Sequence, residues 1–308
     1  MLPDELEAIA ARHVPGTGKI DIHRLGSGLM NDTYRVQRAG RAYALRVSGS
    51  NPYALGLDRA WEARVLERAV LGGLAPVLEY CDPQRGILIS RWVAGRSWNP
   101  AEVRLQSSLG RMAELARRIH ALSMPAQARL MGPGAWIDYY STAAFSNAAA
   151  SGNAAGSGNA GGDSTAATLR IAANMRLTAL AALPRVAPVV CHSDLHTLNL
   201  IESGRTLMLL DWEYAHAADP LWDLAGWSAN NDLEDEFRQE LLASYTGRPP
   251  TPHEKLRLQL LGWLYDYVSL LWCDLYLNLH RDPIQGTVTG RVQSLAARLI
   301  ATASGRAD

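Results

Sequence analysis

Hydrophobic and polar positions change rhythm near residue 100. Before it, residues 20–25, 33–37, 42–47, 77–80 and 86–92 form short runs that read as strands. Residues 4–13 and 58–71 have helical spacing, with Trp61, Val65 and Leu66 on one side of the second. Five strands with one helix after the third is an unusual order. From Pro100 the pattern is mainly helical, over 102–122, 165–182, 234–245 and 253–279, the last apolar and aromatic. One interruption stands out. Residues 198–202 and 206–210 read as two apolar strands around Ser203-Gly204, a hairpin turn signal. Residues 146–165 are a Ser/Asn/Ala/Gly tract that reads as a flexible surface insertion, with a substrate lid as the alternative.

Composition narrows the class. The chain has 308 residues, enough for one large domain or two lobes. Thirty basic and 30 acidic residues cancel, which argues against a nucleic-acid or polybasic membrane partner. Three widely spaced cysteines suggest neither a disulfide framework nor a zinc site. The start is acidic and amphipathic, unlike a signal peptide, and no apolar run reaches the roughly 18 residues of a membrane span. The expectation is a cytoplasmic protein with no membrane partner; oligomeric state is left open. Lys19 and Lys255 are the only lysines; the other basic residues are arginines.

The hairpin matters because of what flanks it. His192-Ser193-Asp194-Leu195-His196-Thr197-Leu198-Asn199 precedes it and Asp211-Trp212-Glu213 follows. Asp194 can orient a hydroxyl and take its proton, while Asn199 and Asp211 offer hard oxygen ligands to Mg²⁺. A hairpin between them makes Asn199 and Asp211 neighbours although twelve positions separate them. Earlier, Gly26-Ser27-Gly28-Leu29-Met30-Asn31 lies between two strands, where a glycine loop can approach phosphates closely. Gly16-Thr17-Gly18-Lys19 lacks the spacing of a P-loop. In the strand at 42–47, period two sets Arg46 opposite Tyr43, Leu45 and Val47, and Glu62 is its expected partner, with Glu67 a less well placed alternative. Ser90 and Trp92, in the run 87–95 that would join two lobes, are candidates for an adenine slot; Trp92 also reads as core.

Together these motifs resemble the choline kinase, thiamine kinase and aminoglycoside phosphotransferase superfamily, whose pattern is H-x-D-x-x-x-x-N followed by D. The resemblance spans nearly the whole chain. It implies an α+β, bilobal protein-kinase-like fold: a small antiparallel-sheet N-terminal lobe at 1–95 and a larger, mainly helical C-terminal lobe at 96–308. It implies ATP and Mg²⁺ as cofactors and phosphorylation of a small-molecule hydroxyl. Asp194 and Asn199 are then the catalytic candidates. Gly26, Ser27, Gly28, Asn31, Arg46, Glu62, Ser90 and Trp92 serve the nucleotide, and Asn199, Asp211 and Glu213 the metal. Glu213 could instead meet a substrate cation or cap a turn. By the same resemblance Asp223 buttresses the catalytic loop. Protein kinases are disfavoured, because seven residues between Asp211 and Asp219 leave no room for an activation segment. Asp211-Trp212-Glu213-Tyr214-Ala215 is similar to the choline and thiamine kinase form.

The C-terminal region mixes aromatics with acids: Trp227, Trp263, Tyr265, Asp266, Tyr267, Trp272, Asp274 and Tyr276. Aromatic faces attract quaternary ammonium groups, and carboxylates reinforce them. Asp194, Trp227, Trp263, Asp266 and Trp272 are therefore the substrate candidates, helix-core packing being the other reading. The expected acceptor is a cationic alcohol of choline, ethanolamine or thiamine type. An aminoglycoside or sugar phosphotransferase and a non-catalytic nucleotide-binding protein are the alternatives.

Overall fold

The computed structural model describes residues 3–27, 29–49, 52–150, 160–280 and 285–303. Helix α1 (Pro3–His13) leads into strands β1 (Ile20–Ser27), β2 (Asn31–Arg38) and β3 (Arg41–Ser48), then helix α2 (Arg59–Leu71) and strands β4 (Leu78–Asp82) and β5 (Ile87–Arg91). The five strands form one antiparallel sheet in the order β1-β2-β3-β5-β4. Alternation along β3 buries Tyr43, Leu45 and Val47 against α1, with Val36, Ile87 and Ile89. Arg46 consequently faces away from that small core.

Asp58 caps α2, its carboxylate accepting from the Trp61 amide at 2.9 Å. The apolar stripe of α2, Trp61, Val65, Leu66 and Ala69, does not join the sheet's core; it belongs to the larger hydrophobic core built by the C-terminal helices. The sequence-based division at residue 95 thus follows the sheet, whereas the packing assigns α2 to the other side. At the junction Gly95 lies against the later hairpin, and a Cβ there would sit 2.5 Å from the Glu202 carbonyl oxygen. Arg96 and Glu202 exchange backbone hydrogen bonds at 3.0 and 2.8 Å, which pins the connection.

The larger region contains α3 (Gln106–His120), α4 (Pro133–Ala150), α5 (Ala160–Ala182), β6 (Val189–Cys191), β7 (Leu200–Ser203), β8 (Thr206–Leu209), β9 (His216–Ala218), α6 (Leu221–Asn230), α7 (Asp235–Thr246), α8 (Pro252–Leu279) and α9 (Gln285–Ala303). The expected hairpin is β7–β8, with Leu200 opposite Leu209 and Ser203 opposite Thr206. Thr251 and Glu254 form a capping box at the start of α8, with Pro252 in its first turn. The expected helix at 102–122 is divided: Leu105 is extended, with ψ 135°, between a short turn at Glu102–Arg104 and α3. Helices α4, α6 and α9 have no counterpart in the periodicity. The reason for α6 is plain, because eight of its residues are buried and no polar face alternates with an apolar one. The tract read as an insertion is divided between the end of α4 and the start of α5, and 151–159 lie outside the described residues. Among the described residues no helix is long and apolar enough to cross a membrane.

Candidate active site

The catalytic-loop candidate runs from β6 to β7. Its backbone is fixed from below by Asp223 on α6, whose two oxygens accept from the amides of His192 at 3.0 Å and Ser193 at 2.7 Å. His120 on α3 reaches the same carboxylate at 3.1 Å. His192 is buried; its Nε2 donates to the Leu210 carbonyl at 2.9 Å and its Nδ1 accepts from the Asp194 amide at 3.3 Å. That ring therefore ties the loop to the strand end before Asp211. Ser193 turns the chain with φ +69°, a left-handed conformation uncommon outside glycine, and Asp211 does so with φ +57°.

Asp194 projects from this turn. Its Oδ2 accepts from Asn199 Nδ2 at 3.0 Å and lies 3.4 Å from His196 Nε2. His196 Nδ1 accepts from the Leu198 amide, so Nε2 carries the proton on that ring. Burial pushes the Asp194 carboxyl up, but His196, with His192 and Arg291, outweighs it and holds the group below the ordinary aspartate value. Asp194 is thus held toward its anionic form, its Oδ2 is doubly engaged, and the residue lines the adjoining cavity. The hairpin does what its spacing predicted: the Leu210 amide donates to the Asn199 carbonyl at 2.8 Å, and Asp211 follows directly.

Beside Asp211 lies a dense ionic cluster. Arg46 holds Glu62 Oε1 at 2.5 Å and Asp211 Oδ1 at 2.6 Å. Arg59 holds Glu62 Oε2 at 2.8 Å and Glu213 Oε2 at 2.7 Å, and donates to Asn31 Oδ1 at 2.9 Å. Asn31 Nδ2 donates back to Glu213 Oε2 at 2.7 Å. Two guanidinium groups thus face three carboxylates. Burial and the neighbouring Asp211 charge push Glu213 up to about 7, against the pull of Arg46 and Arg59. Glu62 is held low despite burial, because both arginines touch it.

Asp194, Asn199, Asp211 and Glu213 line one cavity of about 510 Å³. Its far end is aromatic: Trp136 and Tyr140 from α4, Tyr214, Trp222 from α6, and Tyr265 and Trp272 from α8. The α8 contribution is a single helical stripe, Tyr265, Val268, Ser269, Trp272 and Cys273. Trp272 Nε1 donates to the Tyr214 hydroxyl at 2.6 Å, and Trp136 Nε1 donates to His216 Nε2 at 3.4 Å. Tyr265 donates its hydroxyl to the Ser193 carbonyl at 3.3 Å and accepts from Asn230 at 3.0 Å. Thr287 and Arg291 of α9 complete the wall.

Several sequence candidates lie elsewhere. Trp227 is fully buried and packs edge-on against Trp98 at 6.0 Å. Trp263 packs under Arg176 and donates to Thr302 Oγ1 at 3.1 Å. Asp266 is paired with Arg298 at 2.7 Å. None of the three lines the cavity. Their positions on α8 are out of phase with the Tyr265–Trp272 stripe, and Trp227 points into the core between α3 and α6 neighbours. Of that set Trp272 alone reaches the cavity with Asp194. Glu213 Oε2 is held by Arg59 and Asn31, and Glu213 and Asn31 both line the cavity with Asp211. Ser90 pairs with Ala44 in the sheet, and Trp92 donates its amide to the Ala42 carbonyl while Arg35 stacks over its ring at 5.0 Å. Gly26 and Ser27 close β1, and Gly28 lies outside the described residues. Glu67 pairs with Arg68, leaving Glu62 as the partner of Arg46. Sequence reasoning missed Arg59, His196, Trp136, Tyr140 and Arg291. Arg59 had a signal: it precedes Glu62 by three positions on one helix face.

The donor set fits Mg²⁺. Asn199 spends its Nδ2 on the backbone and side chain of Asp194, which leaves its amide oxygen as the atom able to meet a cation. A carboxylate and an amide oxygen are the hard donors that ion takes.

The family model described as "Phosphotransferase enzyme family" matches residues 21–257. The chain belongs to the phosphotransferase enzyme family. Among curated proteins no match is found. Among solved structures, a choline/ethanolamine kinase family protein from Mesorhizobium loti is 26% identical, with 99% of this chain and 96% of that chain covered and a TM-score of 0.73. Choline kinase LicA from Streptococcus pneumoniae is 21% identical over 97% of this chain and 98% of that one, TM-score 0.73. A spectinomycin phosphotransferase in complex with ADP and spectinomycin is 11% identical over 98% of both chains, TM-score 0.65. The fold is the bilobal kinase-like one, with an antiparallel-sheet N-terminal region and a mostly helical C-terminal region.

Proposed function

We propose that this protein transfers the γ-phosphoryl group of ATP to a hydroxyl of a small alcohol whose cationic or apolar body lies against the aromatic end of the cavity. The observation that carries the reading is the meeting of Asp194, Asn199 and Asp211 in the cavity walled by Trp136, Tyr140, Tyr214, Trp222, Tyr265 and Trp272. Support comes also from the likeness to choline and ethanolamine kinases, one of which is solved with AMP.

In this mechanism Asn199 and Asp211 hold Mg²⁺, which when bound offsets phosphate charge. Arg46, fixed by Glu62, and the glycine loop before Asn31 position the phosphates. Asp194 Oδ1 orients the acceptor hydroxyl and takes its proton as the new oxygen–phosphorus bond forms and ADP leaves. Positioning and charge complementarity supply most of the acceleration. Aminoglycosides suit the site less well. They are polycations, and among the described residues the aromatic end offers no carboxylate beyond Asp194, Asp266 being committed to Arg298.

The test is Mg²⁺-dependent ADP release across choline, ethanolamine, thiamine, aminoglycosides and amino sugars. Stimulation by one cationic alcohol is expected. Stimulation by a sugar alone would keep the chemistry and overturn the acceptor class. ATP binding without stimulation by any acceptor would favour the non-catalytic reading.

A further inference from the structure

We propose that Arg59 is a positioning residue that neutralises Glu62 and Glu213 together, so that Arg46 can exchange Asp211 for nucleotide phosphate without stranding a buried acid. This rests on the ATP- and Mg²⁺-binding part of the reading above.

Arg46 hydrogen-bonds two carboxylates in this structure, Glu62 and Asp211, and lies 3.9 Å from a third, Glu213 Oε2. Asp211 is also the carboxylate suited to the metal. A nucleotide whose phosphates recruit Arg46 must therefore draw that guanidinium away from Asp211. With Arg46 the sole cation, such a move would leave the buried acids Glu62 and Glu213 uncompensated, which is costly. Arg59 removes the difficulty. It is 3% exposed and touches the oxygen of Glu62 that Arg46 leaves open. Its other contacts are Glu213 and Asn31, at the head of β2. One guanidinium therefore joins α2, the hairpin that carries the glycine loop, and the turn after Asp211. A fork of this shape cannot be replaced by a point charge, since three partners in different directions are held at once.

Glu213 Oε2 takes two donors, from Arg59 and Asn31, which fix that carboxylate in place. Freeing it by removing Arg59 does two opposed things. The cluster gains a net negative charge and a loose carboxylate, which favours a bare divalent cation. It loses the order of the Arg46 side, which weakens nucleotide binding. A residue that merely holds the fold would weaken both.

The experiment compares wild type, Arg59→Gln and Arg59→Lys by two binding measurements: Mn²⁺ alone by electron paramagnetic resonance, and MgATP by calorimetry. For Arg59→Gln, Mn²⁺ affinity should rise about tenfold and MgATP affinity should fall about tenfold or more. Arg59→Lys, which retains the charge and is the variant to rely on should the Gln protein not fold, should bind Mn²⁺ like wild type and MgATP more weakly. MgATP binding by Arg59→Lys equal to wild type overturns the proposal, as does a parallel loss of both affinities in Arg59→Gln. Wild type that binds no MgATP would instead sink the functional reading itself, and the proposal with it.

Discussion

The cavity has two ends that solve opposite problems. At the ionic end, where Asp211 and Glu213 line the cavity, five charged side chains from three chain segments form one hydrogen-bonded cluster, and four of the six carboxylate oxygens are engaged. At the aromatic end six rings line the cavity, and the polar atoms of Trp136, Tyr214, Tyr265 and Trp272 are hydrogen-bonded within the protein. The first is organised in advance for a ligand of fixed charge and geometry. The second offers polarisable surface with little directional demand, which suits a body recognised by shape and by cation–π attraction. Asp194 stands at the boundary and is the point where the two meet.

Substitutions can pull the ends apart. The largest effect is expected at the boundary: Asp194→Ala should lower turnover by about 10²–10⁴-fold, while calorimetry finds MgATP binding retained. Equal turnover would remove Asp194 from the chemistry. Trp272→Ala touches only the aromatic end. It should raise the acceptor KM about five- to thirtyfold with the KM for ATP unmoved, a split that steady-state kinetics resolves. A change in the ATP KM would mean that the ends are not independent.

A third effect concerns stability at the base of the aromatic end. Burial pushes His216 from 6.5 down to about 4, where it donates Nδ1–H to the Tyr214 carbonyl at 2.8 Å and accepts from Trp136. The folded state therefore holds this ring neutral. Its contribution is complete above pH ~6.5 and is lost as pH falls toward ~4, about 3 kcal/mol across that window. Urea titrations at several pH values should show a shallower acid-side decline for His216→Leu than for wild type. Parallel curves would assign the acid sensitivity to other groups.

The ionic end was the more legible in sequence. Its parts lie in short, phase-determined segments: period two fixes the face of Arg46, the β7–β8 turn fixes Asn199 beside Asp211, and helical spacing makes Glu62 available. Arg59 was overlooked because an arginine beside a glutamate reads as a surface pair until burial is known. The aromatic end needed a helix phase that composition cannot supply. Tyr265 and Trp272 are seven residues apart and share a face, whereas Trp263 and Asp266 fall on another. Choosing aromatics by type alone selected both faces. Trp136 and Tyr140 come from α4, a helix whose weak polar contrast hid it altogether, and their place in the site depends on tertiary packing.

Ser193 leaves one more consequence. It carries the left-handed bend beneath Asp194, and among the described residues its buried hydroxyl has no hydrogen-bond partner. Both features cost the folded chain, so this loop holds a local strain. Ser193→Gly should release it, raising unfolding free energy by about 1 kcal/mol in a thermal melt. An unchanged or lower melting temperature would mean that the hydroxyl meets water or ligand often enough to repay its position. The residue that shapes the base would then be part of what the pocket feels.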